Sequence, residues 1–220
     1  MSVEAMLEAR GLSKSYGGVQ ALCPVSFRLK AGECLGVAGS NGSGKSTLLR
    51  LLAQVQKPDS GRVLFRGRDV AGDRRFPRRC LGYVPQDNEL APELTAGEQL
   101  ALWRAACGLG GRVQPELVEL LGLEPLLRRR NGELSGGMQR RVSIAMALST
   151  GREVLVLDEA TAGLDEAYRE GLLAWMEGFL ARGGCAVWCT HLTGELERLC
   201  TRCLTIREGR AGWGSDAAPL

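Results

Sequence analysis

The residues Gly39-Ser40-Asn41-Gly42-Ser43-Gly44-Lys45-Ser46 have the types and spacing needed to hold a chain of phosphates. Glycines let backbone N–H groups approach phosphate oxygens, and a helix that follows points its positive end at them. Lys45 would reach the β- and γ-phosphates, the Ser46 hydroxyl would ligate magnesium, and Thr47 could add a phosphate contact. Such a loop binds a nucleotide; it does not say what is done with it.

Two acids supply a chemical step. Val154-Leu155-Val156-Leu157 reads as a buried strand, and Asp158 and Glu159 stand where it ends. Asp158 would hold magnesium, directly or through water, and Glu159 would polarise water for in-line attack. Alone, two acids closing an apolar strand also fit a solvated strand end; the phosphate loop favours the chemical reading. His191 is the only histidine, and it follows the apolar run Cys185 to Cys189. That places it at the carboxyl edge of a parallel sheet, where phosphates bind. A second anion-binding cap is written at Ser135, Gly136 and Gly137, ahead of a helix expected from Met138 to Leu148.

The elements that must position these groups alternate strand and helix, which predicts a largely parallel sheet with crossover helices. Cys34 to Ala38 is a short buried strand entering the glycine loop. Ser46 to Val55 follows as a helix with Leu48, Leu49, Leu51, Leu52 and Val55 at helical spacing, closed by Lys57-Pro58-Asp59. Val3 to Arg10, Val25 to Leu29 and Arg62 to Arg66 alternate between turn residues, as antiparallel strands do. From about Asp87 to Thr150 the pattern is helical, with Thr95 as the N-cap of Ala96 to Trp103 and with Val118, Leu120, Leu121, Leu123, Leu126 and Leu127 in the same lobe. Gly212 to Pro219 reads as a frayed end.

Composition narrows the class. The 220 residues are 45% hydrophobic and 24% charged, which suits a globular domain with a substantial core. No apolar run is long enough to span a bilayer, and the opening Met1 to Arg10 has no apolar core, so no secretory signal is expected. A net charge of +3 gives no case for a polyanion, and no nucleic-acid partner is expected. Arg74-Arg75, Arg78-Arg79 and Arg128-Arg129-Arg130 are read as solvated surface, able to touch lipid headgroups or a partner loop. Eight cysteines are expected as reduced thiols: Cys200-x-x-Cys203 has metal-ligand spacing, but a second such pair is absent. Cys185, Cys189, Cys200 and Cys203 are taken as small buried hydrophobes, and no zinc site is assigned.

The segment Leu134-Ser135-Gly136-Gly137-Met138-Gln139, about ninety residues after the glycine loop, resembles the signature of ATP-binding-cassette (ABC) ATPase subunits. Nearly the whole chain follows that family's motif order. The resemblance implies an α/β fold of the P-loop NTPase (RecA-like) type, with a parallel-sheet core, a small antiparallel β-lobe and a helical signature lobe. One domain over residues 1–220 is expected, with core and β-lobe at about 1–86 and 151–220 and the helical lobe at about 87–150. The resemblance gives Gln86 in Gly82-Tyr83-Val84-Pro85-Gln86 the role of a glutamine that touches magnesium or the attacking water. It makes Tyr16 the platform stacked on adenine and His191 the switch that senses the γ-phosphate. It assigns Ser135, Gly136 and Gly137 to ATP held by a facing subunit, and Asp165 in Gly163-Leu164-Asp165 to the dimer interface. Thr161 to Asp165 and His191 to Cys200 look most like ATPases of small bacterial exporters.

These likenesses imply ATP and Mg2+ as cofactors, a second identical or different ATPase subunit, and a separate integral membrane permease driven by ATP-dependent dimerisation. The expected place is cytoplasmic, on the inner face of the membrane. A non-transport ABC ATPase with soluble partners, of the iron–sulfur assembly type, and a nucleotide sensor without hydrolysis are the alternatives. Three residues depart from the family pattern: Ala160 and Ser40 where proline is usual, and Met146 where arginine is usual.

Overall fold

The computed structural model describes residues 5–72 and 80–213. Its frame is a six-stranded sheet in the order β10-β9-β3-β8-β7-β6, formed by Arg210–Trp213, Arg202–Arg207, Cys34–Ala38, Cys185–Cys189, Val154–Asp158 and Leu81–Val84. All neighbouring pairs are parallel except β10 with β9. Both faces are covered, which is why β7 and β8 are buried at every position. Alternate residues serve opposite cores: Val154 and Val156 pack on one side, Leu155 and Leu157 on the other.

Helix α1 (Lys45–Leu52) fills the first side. Its Leu48, Leu49, Leu51 and Leu52 are fully buried, each worth about 1.5–3 kcal/mol of transfer free energy. They share a core with Val154 and Val156 and with Leu7, Leu12 and Val63 of a second sheet. That sheet is antiparallel, β2-β1-β4-β5, from Val19–Leu29, Leu7–Tyr16, Ser60–Phe65 and Arg68–Asp69. So α1 lies between two sheets, with the glycine loop at its start.

The second side is covered by helices. Between the sheet strands β6 and β7 come α2 (Ala96–Ala106), α3 (Pro115–Leu120) and α4 (Gly136–Leu148), with a 3-10 turn at Asn131–Glu133. Thr95 caps α2 with Glu98 in a reciprocal capping box. After β7, α5 (Glu166–Ala181) supplies Leu172, Leu173 and Met176 to the same core. A short α6 (Thr193–Leu199) follows β8. Among the described residues no helix is long and apolar enough to cross a membrane.

Several expected boundaries shift. The first strand starts at Leu7 and continues through Gly11 to Tyr16, because its register slips between Ala9 and Leu12 and absorbs the left-handed Gly11. Helix α1 ends before Val55, at a left-handed Gln54. Helix α4 begins two residues before Met138, since Ser135 already caps it. The sequence expectations do not include the strands β6 and β9, the α5 helix, or the turn through Glu208 and Gly209, both at positive φ, which brings Gly212 and Trp213 back as β10. Arg74, Arg75, Arg78 and Arg79, the first residues of the expected opening strand, and the tail after Trp213 lie outside the described residues.

Candidate functional site

Four adjacent parallel strands deliver the candidate groups to one edge. β3 ends in the glycine loop, β7 ends at Asp158, β8 leads through Thr190 to His191, and β6 leads through Pro85 to Gln86. Strand order and direction thus gather residues that are far apart in sequence at the carboxyl side of the sheet. A cleft of about 200 Å3 opens there with Asn41, Gly42, Gly44, Lys45, Ser46, Thr47, Gln86, Asp158 and Glu159 on its wall, together with Ala21 from β2; His191 is not on that wall.

The loop requires glycine where backbones approach. A Cβ on Gly39 would stand 2.2 Å from the Ile206 carbonyl oxygen, and one on Gly44 2.4 Å from that of Ala21. Gly39, Gly42 and Gly44 also sit at φ of 145°, 75° and 111°, conformations other residues adopt only under strain. Lys45 Nζ donates to the Gly39 and Ser40 carbonyls at 2.7 and 2.9 Å. The ammonium is therefore held over the loop. Ser43 is buried and anchors the loop to the β9–β10 turn by accepting from the Gly209 N–H at 2.9 Å.

Across the cleft, Asp158 is 1% exposed, and neither of its carboxylate oxygens meets a nitrogen or oxygen donor among the described residues; only the weakly donating Cys189 thiol stands beside it. A buried carboxylate left in that state asks for a cation. The Ser46 hydroxyl donates to Gln86 Oε1 at 3.3 Å, so two further oxygen ligands already face each other on the same wall. Hard oxygen donors in small number fit magnesium, which keeps water and phosphate as its other ligands. The negative charge is felt next door: burial, then the charges of Asp158 and Glu159, push the Cys189 thiol well up.

Glu159 has an unusual backbone. It is a non-glycine at φ 52°, fixed by its N–H on the Cys189 carbonyl at 2.9 Å. Its Oε2 lies 2.9 Å from His191 Nδ1. An ionised carboxylate only accepts, so Nδ1 carries the hydrogen in this pair. The histidine is 70% exposed and the glutamate 14%, so the ring lies at the solvent edge of the pair.

The remaining expected residues fall elsewhere. Tyr16, at the end of β1, is 44% exposed and is not on the cleft wall; its hydroxyl donates to Gln56 Oε1 at 2.5 Å. Ser135 Oγ accepts from the Met138 N–H at 3.3 Å, capping α4, with Ser135 and Gly136 exposed. Gly137 approaches Gly163 so closely that a Cβ would meet its carbonyl oxygen at 2.5 Å. The signature and the segment leading to Asp165 are thereby packed together, away from the chain's own cleft. Asp165 occupies the N-cap position of α5 but makes no capping bond with its side chain. Ala160 is buried at 1% exposure, Met146 packs against the helical-side core, and Ser40 is exposed.

Two polar residues that sequence reasoning missed join these parts. Arg140 and Asn88 bridge α4 to the loops after β6 and β7. A buried arginine whose partners are carbonyls from distant segments leaves no periodic trace in a sequence.

Residues 22–162 match the ABC transporter family. The chain is 38% identical over 204 residues to the Nod factor export ATP-binding protein I of Rhizobium etli, covering 91% of this chain and 65% of that protein. With the same-named protein of Burkholderia orbicola it shares 39% over 214 residues, 96% of this chain and 70% of that one. The chain thus spans about two thirds of the length of these relatives. Among solved structures, an ATP-binding subunit of an ABC transporter superposes with a TM-score of 0.87 at 31% identity, over 95% of this chain and 89% of that one. The ATP-binding cassette MJ0796, a dimer in a post-hydrolysis state bound to ADP and Pi, superposes with a TM-score of 0.84 at 26% identity, over 94% of this chain and 98% of that one. Glycine loop, acidic strand end and capped signature helix stand in this family's order on this family's fold, and the chain belongs to the ABC transporter family.

Proposed function

We propose that this chain is an ATP-hydrolysing subunit that dimerises on ATP and drives a separate membrane permease, in the direction of export. The observation that carries the reading is one sheet edge: a buried Asp158 without a nitrogen or oxygen donor, a Glu159–His191 pair and a lysine-bearing glycine loop meet there.

The chain's own residues divide the work. N–H groups of the glycine loop and α1 take the phosphates, and Lys45 exchanges two neutral carbonyls for phosphate oxygens, a stronger charge-assisted partnership. Thr47 adds a phosphate contact from the first turn of α1. Ser46, Gln86 and Asp158 would hold magnesium, which neutralises phosphate charge when bound. Glu159 accepts the proton of the attacking water. His191 fixes the Glu159 carboxylate, and its Nε2 donates to a γ-phosphate oxygen without breaking that bond only when the ring is doubly protonated. Tyr16 offers a ring face to adenine, with its hydroxyl held by Gln56.

Ser135, Gly136 and Gly137 point away from this cleft and serve ATP on a second subunit, with Asp165 at the contact between subunits. The chain is one cassette over residues 1–220, with its helical lobe at about 87–150 receiving the permease. It works on the cytoplasmic face of the membrane. Export agrees with the names of the Rhizobium and Burkholderia relatives. The test is Glu159→Gln: ATP turnover should fall to background while ATP binding persists. Turnover close to wild type would remove Glu159 from the mechanism, and co-purification with soluble proteins alone would remove the permease.

A further inference from the structure

The guanidinium of Arg140 lies at the meeting point of three segments that the proposed reaction needs. The residue stands in the second turn of the signature helix α4 and is 3% exposed. Nη1 donates to the Pro85 carbonyl at 2.5 Å and to Asn88 Oδ1 at 3.4 Å, on either side of Gln86. Nη2 donates to the carbonyls of Asp158 at 3.2 Å and Glu159 at 2.7 Å. Asn88 Nδ2 donates in turn to the Gly136 carbonyl at 3.2 Å, closing a ring back to the signature.

The arrangement is costly to keep. A buried guanidinium loses hydration, and burial does lower the Arg140 pKa, opposed by the charges of Asp158 and Glu159. What it gains is geometric. A planar fork donates in two directions at once, which a lysine ammonium on a flexible stem does not reproduce. The Glu159 backbone that receives this fork is the one at φ 52°, held from the other side by its N–H on Cys189. A strained residue persists only where its surroundings over-determine it. Here the carbonyl, held by Arg140 at 2.7 Å and by the Ala162 N–H at 3.0 Å, and the N–H held by Cys189 fix the peptide groups on both sides of the Glu159 side chain.

We propose that Arg140 is a positioning residue for ATP hydrolysis: it holds the Glu159 backbone in its left-handed conformation and ties the aim of that carboxylate to the placement of the signature helix and of the segment bearing Gln86. The proposal rests on the reading that Glu159 activates water. It makes the hydrolytic centre responsive to the signature through protein contacts alone. A shift of α4 against the sheet pulls on the same guanidinium that holds the Glu159 carbonyl.

Steady-state ATP turnover of the purified full chain tests this with Arg140→Lys, Arg140→Met and Glu159→Gln side by side. Arg140→Lys should lower kcat on the order of 10²-fold, as misplaced reacting groups do. Its KM for ATP should stay within about threefold of wild type, since the phosphate contacts are untouched. Free guanidinium at millimolar concentration should restore part of the kcat of an Arg140→Ala chain without moving its KM. A purely structural role predicts instead a lowered Tm, loss in proportion to the unfolded fraction and no rescue. If Arg140→Met does not fold, Arg140→Lys, which keeps charge and length, carries the decision. A kcat for Arg140→Lys within about twofold of wild type overturns the proposal. So does a rise in KM that accounts for the loss. Full turnover in Glu159→Gln overturns the underlying reading; background turnover there with a fast Arg140→Lys overturns the clamp alone.

Discussion

Glu159 Oε2 and His191 Nδ1 lie 2.9 Å apart at the ends of neighbouring parallel strands, and Asp158 pairs in register with Cys189 just behind them. On the proposed reading the histidine orients the base and adds a single γ-phosphate contact, while the glycine-loop contacts stay in place. His191→Ala should therefore lower kcat on the order of 10²-fold and weaken ATP binding by far less. Nucleotide titration alongside turnover separates the two; a parallel loss of both would place His191 in binding instead.

The glycine loop makes a graded prediction. Gly39→Ala puts a Cβ 2.2 Å from the Ile206 carbonyl and must push β9 away, so stability should fall by about 1–3 kcal/mol and ATP affinity with it. Gly42→Ala meets no described atom within 4 Å and carries only the strain of φ 75°, about 1 kcal/mol. Thermal melts of the two variants should rank them in that order. Equal melting points would show that the close approach at Gly39 is not a constraint.

Glu8 gives the fold an acid-sensitive tie. The hydrogen bond from Arg10, opposed by burial and reinforced by Arg28, holds its carboxyl down at about 2 from an ordinary 4.5. A depressed pKa contributes stability that is complete above about 4.5 and lost as pH falls through about 2. Because Arg10 and Arg28 are 45% and 69% exposed, solvent screening reduces the contribution to about 1 kcal/mol. Denaturant unfolding of wild type against Glu8→Gln should show this gap at pH 7 and a narrowing gap toward pH 3. A gap independent of pH would show that packing, not charge, is lost in the variant.

The cysteines sort by burial. Burial and the charges of Glu33 and Glu153 push the Cys185 thiol up to about 12, and Cys189 and Cys34 are raised as well, Cys34 through its contact with Cys200 at 3.6 Å. Thiolate is the reactive form, so these three should resist iodoacetamide in the native protein near pH 8. Peptide mapping by mass should find label first on the half-buried Cys23, Cys80 or Cys107. Early label on Cys185 or Cys189 would contradict the packing of β8.

Much of this arrangement is legible in the amino-acid sequence. Strand β7 stands out because a strand covered on both faces must be apolar at every position, and Thr95 because Glu98 follows at capping-box spacing. The acids and the glycine loop are visible because their chemistry fixes residue types. Gly11 misleads, since a left-handed glycine marks a turn in one context and a register slip in another. Arg140 and Asn88 stay hidden because their partners are backbone carbonyls, whose positions depend on how β6, β7 and α4 come together. Local sequence carries no record of that.

On the proposed reading Ser135 acts on ATP held by another subunit's Lys45. Mixing two inactive variants, Lys45→Ala and Ser135→Arg, reads this out. A head-to-tail pair of one of each contains one site broken twice and one site intact. Turnover should therefore reappear on mixing, up to about a quarter of the wild-type rate if dimers assort at random. A mixture that stays as inactive as its components would show that Ser135 does not serve ATP on the facing subunit.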